Sequence, residues 1–392
     1  MLKSEKIAAF SLSLILALRM LGLFMILPVF SLYAHDYSGA TPVLIGLAIG
    51  IYGLTQGVFQ LPFGFLSDRF GRKTVIVCGL LIFCLGSAIA AEAESIYQVI
   101  AGRALQGLGA IAAAVMALAA DLTREEVRLR IMAFIGMSIG ASFMISMIVG
   151  PVITAGFGLS MLFWLTGVMA LLGILIVVFV TPRPERQQFH RDTSVAWPDV
   201  GKVIVDPELI KLGFGVFVLH LVLSATFVVF PLVMQHELQI DAGLHWQTYL
   251  PVFALSVIFL LPMVILAERL RQIRRVFLCA ILLLIAAEFG LSRGGSGYAY
   301  VFVMLVAFFS AFNFLEAALP ASVARIAPVH MKGTAMGLFA SAHFIGAFCG
   351  GLLGGALLAS GDYGDTFFGL TLVLCVWLGV ALTMKFPKVS GG

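Results

Sequence analysis

Apolar residues run along this chain in long blocks broken by short polar segments, and within the blocks they do not alternate with a period of two. A helix needs about 20 apolar residues to cross the hydrocarbon core of a bilayer. Twelve blocks meet that length, at 8–34, 43–66, 74–92, 95–119, 131–157 and 160–181 in the first half, and at 209–235, 245–267, 276–293, 297–322, 331–359 and 363–385 in the second. Helices are the expected form, because a backbone in lipid must pair its polar groups within its own segment, and a closed barrel would need the missing alternation. The first block follows Lys3 and Lys6 as a secretion signal would, but it is too long and contains Arg19, so it reads as a retained first helix.

The polar breaks orient the blocks. With the N-terminus inside, 21 of the 24 Lys and Arg residues fall in inner segments and Arg293 alone in an outer one, while Arg19 and Arg103 lie within spans. Positive charge is retained on the cytoplasmic side of membrane proteins, so both termini are expected inside. Tyr33, Tyr37, Tyr97, Trp164, Trp246, Tyr298, Tyr300 and Tyr363 sit near outer ends, where aromatic anchors collect. The longest polar stretch, 182–208, divides the chain into 1–181 and 209–392, six spans each, and reads as a cytoplasmic linker. Within it, 197–209 suits either a short amphipathic helix on the inner surface or a plain loop. Basic inner loops at matching places in the halves, SDRFGRK at 67–73 and AERLRQIRR at 267–275, suggest an internally duplicated transporter.

Composition narrows the function. Charged residues make up 11% of the chain, against about 25% in soluble domains, and the mean hydropathy is +1.08. An ordinary soluble enzyme is excluded. The net charge of +4 is modest and the basic residues cluster in short loops, so nucleic acid is not an expected partner. No phosphate-binding G-x-x-x-x-G-K-[ST] run is present, so ATP is not expected to drive the protein directly. Cys78, Cys84, Cys279, Cys349 and Cys375 all lie in apolar stretches without ligand spacing and read as small hydrophobes, so no metal or other cofactor is expected. His236 and Asp241 have the H-x-x-x-x-D spacing of acyltransferases, without the rest of that pattern, and this is read as chance.

Three motifs carry the chemistry. Gly64 to Lys73 reads G-x-x-x-D-R-x-G-R-K between spans two and three. It resembles the signature loop of the major facilitator superfamily, at the position expected in a twelve-span protein. Gly64 would allow a close helix approach and Gly71 a tight turn. Asp68 could accept from N–H groups at the start of a neighbouring helix, Arg72 could pair with Asp121, and Arg69 and Lys73 complete the loop. The cluster is expected to latch the two halves on the inner face. Arg103 to Ala110, R-x-x-Q-G-x-G-A in span four, resembles a second superfamily motif whose arginine is implicated in proton coupling; backbone carbonyls could equally hold Arg103 as a structural cation. Gly150-Pro151 resembles the core of the superfamily's antiporter motif, although Thr154-Ala155 replace its glycine pair and a proline kink accounts for it as well. The stretches at 18–30, 50–64 and 332–337 resemble a proteobacterial group, the YajR-type transporters, usually classed with proton-driven drug exporters. Some of that group carry a small cytosolic domain after span twelve, expected here to be absent or removed.

The resemblance implies an all-α membrane protein of two pseudo-symmetric six-helix bundles, with spans one, four, seven and ten lining a central cavity. Each of those spans carries one buried ionisable group: Arg19, Arg103, His220 and Glu316. Glu316 ranks first as proton carrier, unless it forms a permanent pair with Arg19, and His220 second, unless it is a hydrogen-bonded core histidine. Asn313 is expected to share a helix face with Glu316, and His343 is expected to be structural. Tyr52, Gln56 and Gln60, spaced four apart, suit a polar stripe on the cavity wall or a bridge between helices. The 33 Phe and 16 Met residues would suit a pocket for amphiphiles, although lipid-facing packing accounts for most. The expected function is a monomeric proton-coupled antiporter of the bacterial inner membrane, exporting small amphiphilic or drug-like compounds. The alternative is a proton symporter importing a sugar or organic acid.

Overall fold

A computed structural model describes residues 2–183, 197–294, 297–328 and 331–385. Its crossings are α1 (Lys3–Phe24), α2 (Pro42–Phe70), α3 (Arg72–Ala91), α4 (Ile96–Asp121), α5 (125–157), α6 (159–180), α7 (Pro207–His236), α8 (Trp246–Glu268), α9 (Ile273–Ser292), α10 (Tyr298–Ile326), α11 (Lys332–Leu358) and α12 (Tyr363–Leu382). Local sequence sets many ends. Thr41 accepts from the Leu44 N–H ahead of Pro42, Ser95 and Gln98 form a capping box, and Asp206 accepts from the N–H groups of Glu208 and Leu209 beside Pro207. Gly71 turns α2 into α3 with φ 98°, and Gly158 breaks an otherwise continuous helix between α5 and α6 with φ 79°. Of the mid-chain polar stretch, 184–196 lies outside the described residues, and Trp197–Val205 forms a short helix.

Helices α1–α6 and α7–α12 form two bundles joined chiefly by α2 against α11 and by the α5–α6 pair against α8. The α2–α11 seam depends on glycine. A Cβ on Gly46 would lie 2.1 Å from the Gly351 carbonyl oxygen, and one on Gly50 would lie 2.6 Å from that of Phe348. The other face of α11 packs Gly346 and Gly350 equally closely on Phe217 and Leu221 of α7. Small residues on both faces let α11 sit against both bundles, since packing rather than hydrophobicity drives helix association in lipid.

The bundles meet along their outer parts. Phe143 of α5 packs edge-on against Phe24 of α1 (centroids 5.1 Å apart) and Phe253 of α8 (5.4 Å), with Phe227 and Phe309 at 6.4 Å. Gly243, before α8, abuts Ala155 at the outer end of α5. Farther inward, Ser341 donates to the Gly57 carbonyl at 2.9 Å. A Cβ on Gly64, two turns beyond, would meet only Ala113 of its own bundle, and α4 and α10 do not pack extensively against each other. The space between the bundles therefore opens on the face that carries the basic loops, with an aromatic seal on its outer side.

Candidate transport pathway

The first bundle buries two arginines without a carboxylate. Arg19, 1% exposed, donates to Gln56 Oε1 at 2.5 Å and to the Gly109 carbonyl at 2.9 Å. That carbonyl lies where α4 loses helical form, between Leu108 and Ala112. Arg103, also 1% exposed, donates to Gln106 Oε1 at 2.9 Å and to the carbonyls of Ala48 and Ile49 at 3.3 and 3.4 Å. Gln106 in turn donates to Ser87 at 2.8 Å. The Tyr52 ring lies between the two cations, 5.8 Å from the Arg19 guanidinium carbon and 5.1 Å from that of Arg103. Cation–π attraction and charge-assisted hydrogen bonds offset part of the desolvation of each cation. The geometry of Arg103 is that of a cation held by carbonyls.

Tertiary contacts decide assignments that the sequence left open. Tyr52, Gln56 and Gln60 are 2%, 0% and 5% exposed, so they do not line a cavity wall. Gln56 donates to Gln60 at 2.9 Å and receives Arg19, so the row bridges helices inside the bundle, drawn inward by a cation that needs acceptors. Asn313, one turn before Glu316 on α10, donates to Ser256 of α8 at 3.0 Å, a partner that the spacing along α10 cannot reveal. Arg19 makes no ion pair with Glu316, because the two belong to different bundles.

The second bundle holds the ionisable cluster. Glu316 Oε2 lies 3.4 Å from His220 Nε2, and the Glu316 side chain is 43% exposed although it sits within a span. It points towards His220 and His343 on α7 and α11, the helices that also pack against the first bundle, and so to the side of α10 next to the space between the bundles. Counted at 1.5 Å per residue, it and His220 lie about 15–20 Å from the inner ends of their helices. His220 Nδ1 faces the Val216 carbonyl at 3.1 Å. His343 of α11, expected to be structural, stacks on His220 with ring centroids 3.4 Å apart, so all three side chains converge from α7, α10 and α11. They are distant in sequence, and for that reason no ligand spacing could flag them. Glu288 of α9 was missed: it is 0% exposed and accepts from Thr226 at 2.8 Å. The rule that singles out Glu316, a lone carboxyl in an apolar run, would have found it.

On the inner face, Arg72 is 2% exposed and lies 3.3 Å from Asp121, donates to Ser67 at 2.8 Å and pairs with Asp68 one turn before it. Asp68 thus pairs with a side chain of its own loop instead of capping another helix. Lys73 donates to the carbonyls of Val177 and Thr181, tying down the end of α6. Arg69 is exposed and stacks on Phe70. All of these groups belong to the first bundle, so in this inward-open arrangement the loop does not bridge the halves. Gly150 lies against Met25, just past the end of α1, where a Cβ would fall 2.5 Å from the carbonyl oxygen, and Pro151 follows inside α5. Glu5, at the start of α1, accepts from Arg124 at 2.8 Å.

The family model for the Major Facilitator Superfamily matches residues 12–209 and 212–390. The chain belongs to this superfamily. It is 43% identical over 387 residues to the inner membrane transport protein YajR of Escherichia coli K12, covering 99% of this chain and 85% of that protein. It is 29% identical to multidrug resistance protein 2 of Bacillus subtilis 168, over 94% of this chain and 92% of that protein. Among solved structures, a bacterial homologue of the human lysosomal transporter Spinster, inward-facing and occupied, superposes with TM-score 0.82 at 13% identity, over 97% of each chain. The major facilitator fold accounts for the pairing of α2 with α11 and of α5 with α8, since an axis relating the halves exchanges those contacts. The protein is a membrane transporter of that superfamily.

Proposed function

We propose that this transporter is a proton-coupled antiporter of the bacterial inner membrane that exports small amphiphilic compounds by alternating access. The observation that carries the reading is the pair formed by His220 and Glu316. The Val216 carbonyl can only accept, so His220 Nδ1 carries a hydrogen. In the neutral ring Nε2 then presents a lone pair to a carboxylate oxygen 3.4 Å away. Two acceptors face each other, and one proton turns that repulsion into a hydrogen bond. Because Glu316 is open to the inward-facing cavity, the proton would leave to the inside in this state and arrive from the outside once the seal around Phe143 opens. Loss or gain of that charge would bias the two states, with the inner loop at 64–73 closing the inner side in the outward-open one.

The aromatic seal above the cavity, Phe24, Phe143, Phe227, Phe253 and Phe309, would line the path once it opens and would then favour apolar and aromatic cargo over sugars. The relatives named as multidrug resistance proteins support the same direction of transport. The test uses purified protein in liposomes with an acidic lumen and a trapped pH dye. Amphiphilic drugs, sugars and organic acids are added outside one at a time. Collapse of the gradient by an amphiphile, lost in Glu316→Gln, is the expected result. If an acidic exterior instead drives uptake of a sugar or organic acid, the protein is a symporter and the export reading fails.

A further inference from the structure

The sequence has no metal-ligand spacing, but the fold assembles one. His220, Glu316 and His343 each offer a ligating atom, and these atoms lie within 4.8 Å of one another. We propose that the three side chains form a binding site for a divalent transition-metal ion of the Zn2+ type, reached from the inward-facing cavity. Two imidazoles and one carboxylate suit such an ion, and three protein ligands leave a position for water.

The geometry of the pair supports this directly. Ligand bonds to Zn2+ are about 2.0–2.1 Å, so two ligand atoms in a tetrahedral shell lie about 3.3 Å apart. His220 Nε2 and Glu316 Oε2 lie 3.4 Å apart. The two atoms are already at the spacing of metal ligands, with no hydrogen-bond donor between them. Glu316 Oε2 is itself shielded from solvent and lacks a hydrogen-bond partner. The His220 Nδ1 contact with the Val216 carbonyl at 3.1 Å directs the Nε2 lone pair outward, the arrangement that orients metal-bound histidines. His343, partly buried and stacked beside His220, already offers a ring nitrogen within 4.8 Å of the other two ligand atoms. The other free side of Glu316 faces the cavity, which supplies an entry path.

Binding does not depend on the proton reading, since it needs only the three side chains; a block of transport by bound metal would depend on it, because metal and proton would occupy the same atoms. The site is tested with purified full-length protein without a histidine tag, in detergent, with no gradient. Titration with Zn2+ is expected to give one ion per chain and to raise the melting temperature. Co2+ is expected to give the visible absorption of a four-coordinate centre. His343→Ala, which removes the ligand supplied by α11, should weaken Zn2+ binding by at least about tenfold and abolish the Zn2+-induced rise in melting temperature. His236→Ala, at the outer end of α7, should leave both unchanged. Retention of tight binding in a folded His343→Ala, or no stoichiometric binding by the wild type, overturns the site. Glu316→Gln in the liposome assay, with no metal added, reports on proton coupling alone, so the two readings fail separately.

Discussion

The two bundles bury charge in opposite ways. The first holds Arg19 and Arg103, both 1% exposed, against carbonyl and amide oxygens and the Tyr52 ring. An arginine keeps its proton in a protein, so that charge is constant. The second holds His220, Glu316 and His343, whose charges can change, and it leaves the carboxyl open to the cavity. The fixed cations tie α1, α2 and α4 into one body, and the variable groups join α7, α10 and α11. Under the proposed proton coupling, the first bundle would act as the stiff element and the second as the element whose charge state selects a conformation.

This contrast can be broken by experiment. The largest effect is expected for Glu316→Gln, which should abolish coupled transport while the purified protein melts near the wild-type temperature; coupled transport at the wild-type rate would remove the second bundle from the coupling role. Arg103→Gln should act mainly on stability. It breaks the donors to Gln106, Ala48 and Ile49, leaves neutral buried acceptors unpaired and should lower folding stability by about 2 kcal/mol, read as a lower melting temperature and reduced yield of monodisperse protein. A normally stable Arg103→Gln that loses only transport would mean that the first bundle's charge is not structural.

Asp68→Asn comes next. Arg72 keeps Asp121, so the bundle should stay folded, but transport should fall several-fold because the inner loop no longer carries the acid that would engage the second bundle when the inner side closes. Unchanged transport would sink that role. Glu288→Gln is expected to have the smallest effect. Glu288 is enclosed, bonded to Thr226 and does not face the cavity, so its variant should transport close to the wild-type rate. A Glu288→Gln that uncouples transport would extend the variable element to α9.

Much of the molecule was legible in its residues because the membrane imposes strong rules. Block length, Lys and Arg placement and the glycine at 71 each follow from one local requirement, and spans, orientation and the inner turn follow from them. The Arg72–Asp121 pair was also legible, since both residues lie at the inner ends of spans in one motif set. The row Tyr52, Gln56 and Gln60 was read with the correct periodicity and an open assignment, because period states which residues share a face and not what that face meets. Asn313 shows the same limit, since its partner Ser256 belongs to another helix.

The sequence by itself determined that this chain crosses a membrane twelve times in two halves, because hydrocarbon thickness and the pairing of backbone polar groups act on each segment alone. It also placed ionisable groups within spans, Arg19, Arg103, His220, Glu316 and His343 among them. The tertiary structure alone decided which of those groups meet. Arg19 and Glu316 stay apart in separate bundles, while His220, Glu316 and His343 converge from helices far apart in sequence. That convergence rests on glycine contacts of α11 with both α2 and α7, which set how closely the helices approach. Close approach is a property of two surfaces at once, and a linear pattern describes only one.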